Sequence, residues 1–142
     1  MAGFQSFSAL IARVLGYAED IPTVLNQALG QDVSSETGGT LTTDGNEQNI
    51  YVNDAPAGVQ EPRCVKVDFT NHTVAETIVL REYYRIKSGG NFIEQDAVTY
   101  VGLVSPELIK VDLDPNRFGV KVTIEKTAGG NKAYDWAVFY EV

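Results

Sequence analysis

The sequence predicts an all-β protein: a jelly-roll-like or related Greek-key antiparallel β-sandwich of about eight strands, preceded by a short helical N-terminal arm. Three observations carry the prediction. Residues 117–126 and 133–142 alternate apolar with polar at a period of two. Phe118, Val120, Val122 and Ile124 thus share one strand face, and Tyr134, Trp136, Val138, Tyr140 and Val142 share another. Short segments of the same kind recur from residue 39 onward, separated by clusters of Gly, Pro, Asn and Asp. Residues 1–30 break the pattern and carry apolar side chains at helical spacing.

In the arm, Phe4, Phe7, Ile11, Val14, Ala18, Ile21, Leu25 and Ala28 advance by alternating steps of three and four, which lays one apolar stripe along a helix. Ser6 or Ser8 is placed to cap a first helix. Asp20 is placed to cap a second, with Pro22 in its first turn, and Gly30 is a stop. The stripe needs cover, either as a lid on the protein's own sandwich or as an arm docked on another subunit. Phe4, Phe7, Ile11, Val14, Ile21 and Leu25 are the expected subunit-interface residues. Residues 31–38 are small and polar and read as a linker, which makes residues 39–142 the β-sandwich domain.

The expected strands cover about residues 39–43, 47–52, 63–70, 76–87, 92–101, 107–113, 117–126 and 133–142. The last two read as a β-hairpin closed by residues 127–132, where Gly129 and Gly130 tolerate positive φ. Asp44-Gly45 reads as a two-residue hairpin loop between the first two, and residues 53–62 as a longer crossing loop. Ser88-Gly-Gly-Asn91 turns the fourth strand into the fifth, and Asp114-Pro-Asn116 the sixth into the seventh. The fourth is expected to be the longest and central, with Ile78, Leu80, Tyr84 and Ile86 buried. Glu82 then falls on that same apolar face, where a carboxylate needs a partner or an opening to solvent.

Composition removes several function classes. In 142 residues, 19 acidic and 11 basic side chains give a net charge of -8, which repels nucleic acid and anionic lipid. The basic residues Arg81, Arg85 and Lys87 share one strand face and read as a solvated ladder facing acidic neighbours. No run of ~18 apolar residues is long enough to span a membrane. Arg13 is the arm's only basic side chain, so a membrane-surface helix is disfavoured, and it interrupts the apolar core a secretion signal requires. Synthesis in the cytoplasm without a signal peptide is the expectation. Cys64 is alone, which excludes an intramolecular disulfide and a multi-thiolate zinc site.

No constellation points to catalysis, a metal or a cofactor. His72 is the one imidazole and sits in a turn, Asn71-His-Thr73, where the composition predicts a solvated side chain. Glu82, Glu94 and Asp96 lie on consecutive strands, a geometry open to paired-carboxylate sugar hydrolysis but commoner on sandwich surfaces. Asp112-Leu-Asp-Pro-Asn116 opens like a calcium loop. It then places Arg117 where Gly is needed and Thr123 where Glu is needed, so a proline turn accounts for it. Among the aromatics, Tyr83, Tyr100 and Trp136 are the candidates for stacking on a sugar ring, which makes a carbohydrate-binding module the alternative reading.

Two runs, Tyr83-Tyr-Arg-Ile-Lys-Ser-Gly-Gly-Asn91 and Pro115-Asn-Arg-Phe-Gly-Val-Lys-Val-Thr-Ile-Glu-Lys-Thr-Ala-Gly-Gly-Asn-Lys132, resemble small β-sandwich virion structural proteins of tailed viruses of bacteria and archaea. The resemblance covers about residues 39–142. It implies a non-enzymatic protein of the virion, most simply a capsid decoration or stabilising subunit, or a tail or connector component, that partners itself as a homo-oligomer and other virion proteins. It carries no catalytic residues and no small-molecule substrate. The apolar arm is then expected to dock on a neighbouring subunit, adding contact area repeated by symmetry.

Overall fold

The computed structural model describes residues 34–141, and all regular structure within them is β-strand. The strands are β1 (Ser34–Thr42), β2 (Glu47–Asp54), β3 (Glu61–Asp68), β4 (Thr77–Tyr84), β5 (Ile93–Val101), β6 (Leu108–Asp112), β7 (Gly119–Ala128) and β8 (Ala133–Glu141). They coincide one for one with the eight alternating segments. The helices expected over residues 1–30, with Phe4, Phe7, Ile11, Val14, Ile21 and Leu25, lie outside the described residues.

Two four-stranded sheets form, in the orders β1-β8-β3-β6 and β2-β7-β4-β5. The chain is nested on itself: β4 lies beside β5, β3 beside β6, β2 beside β7 and β1 beside β8. A long hairpin rolled up into two layers gives this order, which is that of a jelly roll. Its inner faces make the core. Val65 and Val67 of β3, Ile78 of β4, Val120, Val122 and Ile124 of β7 and Val138 of β8 are wholly buried, with Phe69, Leu80 and Tyr134 almost so. Each such side chain withdraws about 1.5–3 kcal/mol of apolar surface from water, and the period-two pattern guarantees that they meet.

Four expectations need correction. The two carboxy-terminal strands are no hairpin, because β7 pairs with β2 and β4 while β8 pairs with β3 in the other sheet. Alternation places Val122 and Val138 on apolar faces, but those faces oppose each other across the core instead of lying side by side. Residues 129–132 therefore cross between sheets. Gly129 (φ +84°) leaves no room for a side chain, since a β-carbon would lie 2.6 Å from the Ala75 carbonyl oxygen. Asp44-Gly45 likewise crosses from one sheet to the other.

The stretch read as a linker runs into β1, which starts at Ser34. Its small residues have a use there, because a β-carbon on Gly38 would meet the Trp136 carbonyl oxygen at 2.6 Å. Finally, β4 is interior as expected but ends at Tyr84, and β7 is longer. Pairing with β5 and β7 stops at Tyr84, and Ile86, beyond the strand end, is 70% exposed instead of buried. Arg85 then stacks on Phe92, 4.0 Å from its ring centre.

Candidate functional site

The open side of the sandwich, where edge strands β5 and β6 face each other, holds a cleft of about 260 Å³. Local pairing builds it. Leu80 and Glu82 follow Ile78 on the inner face of β4, and the antiparallel register sets Leu80 opposite Val98 and Glu82 opposite Asp96. Tyr100, opposite Ile78, packs edge-on against Phe69 with ring centres 5.1 Å apart. From the other sheet, Lys110, Val111 and Asp112 of β6 complete the lining.

Glu82 is the misfit in this cleft. It is 6% exposed, its Oε1 has no hydrogen-bond partner among the described residues, and its cross-strand neighbour is another acid. Burial, and then repulsion from Asp114, Asp96 and Asp112, pushes its carboxyl up to about 7. The neighbouring cation is no help. Arg81 projects from the opposite face of the sheet, 2.5 Å from Glu125 and 3.5 Å from Glu94. Lys110 sits 2.7 Å from Asp112, and Asp114 accepts a 2.7 Å hydrogen bond from Gln95.

That opposite face is a polar ladder in which Arg81 meets acidic neighbours as expected, while Arg85 and Lys87 lie beyond the end of β4. Tyr83 and Thr123 donate to Glu47 at 2.5 and 2.6 Å, and Arg85 pairs with Asp54. Burial alone would raise Glu47, but the hydrogen bonds from Thr123 and Tyr83 and the charge of Arg81 hold it below its ordinary value. Burial and the bond to Glu47 push Tyr83 up to about 12. Glu94 belongs to this ladder, so of the three carboxylates weighed for catalysis only Glu82 and Asp96 share the cleft.

His72 overturns the expectation of a solvated turn. It is 4% exposed, stacked on Phe69 at 5.1 Å, with Nδ1 2.8 Å from the Tyr134 hydroxyl. Burial lowers its pKa, opposed in part by Glu76. The aromatic candidates do not share a surface. Tyr83 lies on the outer ladder, Tyr100 lines the cleft inside the same sheet, and Trp136, in the other sheet, packs against the core. Among the described residues no group of three or more His, Cys, Asp and Glu is arranged to hold a metal ion.

No protein-family model matches the sequence, and no curated protein sequence matches it. Among solved structures, the chain is similar to one from the Bacillus endospore appendages, a family of disulfide-linked pili. The identity is 19% over 80% of this chain and 92% of that one, with a TM-score of 0.42. It is also similar to the VP2 subviral particle of infectious bursal disease virus, at 12% identity, 78% coverage of this chain and a TM-score of 0.45. A structure of the Gt strain of the same virus gives 10%, 78% and 0.41. The chain spans 33% of the length of each of the two viral chains.

Proposed function

We propose that this chain is a non-enzymatic structural subunit of a virion, a capsid decoration or stabilising protein or a tail or connector component, that works through contacts with copies of itself and with other virion proteins. The observation that carries the reading is apolar surface left uncovered at one end of the sandwich. Val74, Val101 and Leu103 are 74%, 71% and 72% exposed. The chain segments that carry them adjoin, since the Gly102 amide donates to the Glu76 carbonyl and a β-carbon on Gly102 would lie 3.6 Å from the Val74 carbonyl. Exposed apolar side chains grouped on neighbouring segments are suited to another protein surface. The arm, through Phe4, Phe7, Ile11, Val14, Ile21 and Leu25, docks on a neighbouring subunit and adds contact area to such a patch.

Two variants test the proposal by sizing across a concentration series and by incorporation into particles. Leu103→Asp should leave the melting curve intact and weaken assembly. Deleting residues 1–30 should leave a folded body, because residues 35–141 form one compact unit, that no longer assembles. Unfolding of the truncated body would favour the lid reading of the arm, and unchanged assembly of both variants would sink the proposal.

A further inference from the structure

The cleft between β5 and β6 poses a chemical question that assembly through an apolar patch does not answer. Glu82 Oε1 offers a buried acceptor with no donor among the described residues. Asp96 and Asp112 line the same space and Asp114 lies close enough to act on Glu82 electrostatically, while the two cations of these strands, Arg81 and Lys110, are engaged with Glu125, Glu94 and Asp112. A buried acceptor needs an N–H or O–H, and surplus carboxylates need positive charge. One kind of group supplies both. A metal ion would need several oxygens converging within about 2.0–2.6 Å, and the described residues offer no such group. A space of about 260 Å³ walled by Leu80, Val98, Tyr100 and Val111 suits a cation that carries carbon with it.

We propose that this cleft binds an organic cation, an alkyl-guanidinium or alkyl-ammonium group that donates to Glu82 Oε1, faces Asp96 and Asp112, and lays its stem along Leu80, Val98 and Tyr100. The charged groups facing Glu82 are Asp96 from β5, Asp112 and Lys110 from β6 and Asp114 beyond it, while its register partner on β7 is the neutral Val122. Glu82 keeps its proton to about pH 7. A seated cation displaces that proton, so affinity climbs with rising pH, approaching tenfold per unit well below 7 and levelling off above it.

Calorimetric titration of the full chain with agmatine, putrescine and Nα-acetyl-arginine amide, at matched ionic strength in sodium chloride, tests the proposal. The side-chain carboxyl carbon of Glu82 is followed by NMR in parallel. Saturable binding is expected, strengthening about fivefold from pH 6 to pH 7 and at least tenfold weaker in Glu82→Gln and Asp96→Asn. Tighter binding of the capped arginine would assign the natural ligand to a basic side chain of another protein, and tighter binding of putrescine to a free polyamine; either supports the cleft. A response that never saturates, that sodium chloride reproduces, or that survives in both variants overturns it. So does calcium chloride binding more tightly than all three amines.

Discussion

Replacing Glu82 with glutamine isolates the energetic cost of the misfit. The folded carboxyl titrates at about 7 against an ordinary 4.5, a difference of about 2.5 units, and each unit is worth about 1.4 kcal/mol. The sign follows from proton counting. Below pH 4.5 both the folded and unfolded chains hold the proton and the group is neutral in the balance. Between 4.5 and 7 the unfolded chain releases it while the folded chain keeps it, so stability falls as pH rises. Above 7 the whole difference, about 3 kcal/mol, counts against the fold. Glutamine keeps the shape and cannot ionise. Glu82→Gln should therefore match the wild type near pH 4, exceed it by up to about 3 kcal/mol at pH 8, and melt on the order of 10 °C higher there. Urea denaturation of both proteins at half-unit steps from pH 4 to 8 reads the difference directly. Subtraction removes His72, whose depressed pKa makes stability fall as pH drops below its ordinary 6.5. A difference that stays constant across the series would refute the reasoning.

Other substitutions address the remaining contacts. Tyr134→Phe removes the hydroxyl that meets His72 Nδ1 at 2.8 Å inside the core, and should cost about 1–2 kcal/mol in urea denaturation at pH 7.5. Gly129→Ala forces a β-carbon onto the Ala75 carbonyl at positive φ, and should cost on the order of 2–3 kcal/mol by the same measurement. Arg81→Met takes from Glu47, Glu94 and Glu125 the guanidinium that all three face, and should lower stability by about 1–2 kcal/mol. That last loss should shrink in 1 M salt; an undiminished loss would mean that Arg81 acts through its stem and not its charge.

The strands were legible because alternation is a local property, and Val65, Val67, Val120, Val122 and Ile124 each declare an inward face within a few residues. Pairing is not local. The faces of β7 and β8 look alike whether the strands lie side by side or across the core, which is why a sheet-to-sheet crossing resembles a hairpin. The cleft was half legible. Glu82 announced itself as a carboxyl among Ile78 and Leu80, whereas Asp112 and Asp114 come near it only through the approach of β5 and β6, which no spacing encodes. His72 was nearly hidden, since Asn71-His-Thr73 has turn composition and its cover, Tyr134, lies 62 positions away. The one local signal was Phe69, three residues earlier, whose ring stacks on it.

Glu82 also joins stability and binding into one quantity. Leucine at that position would continue the Ile78 and Leu80 face, close the polar orphan and remove the cost that ionisation imposes above pH 7. A carboxyl there is instead a group whose two states the surroundings separate by about 3 kcal/mol, with burial first and then Asp114, Asp96 and Asp112 setting the gap. Whatever cation sits beside it must draw the pKa down, and by linkage the same free energy reappears as resistance to unfolding, growing with ligand as RT ln(1 + [L]/Kd). The wild type should therefore gain melting temperature from agmatine at pH 8, where its uncompensated charge costs most, and gain little at pH 5. Glu82→Gln should gain little at either pH. A gain at pH 5 equal to that at pH 8 would separate the ligand from the carboxyl and break the connection between the two.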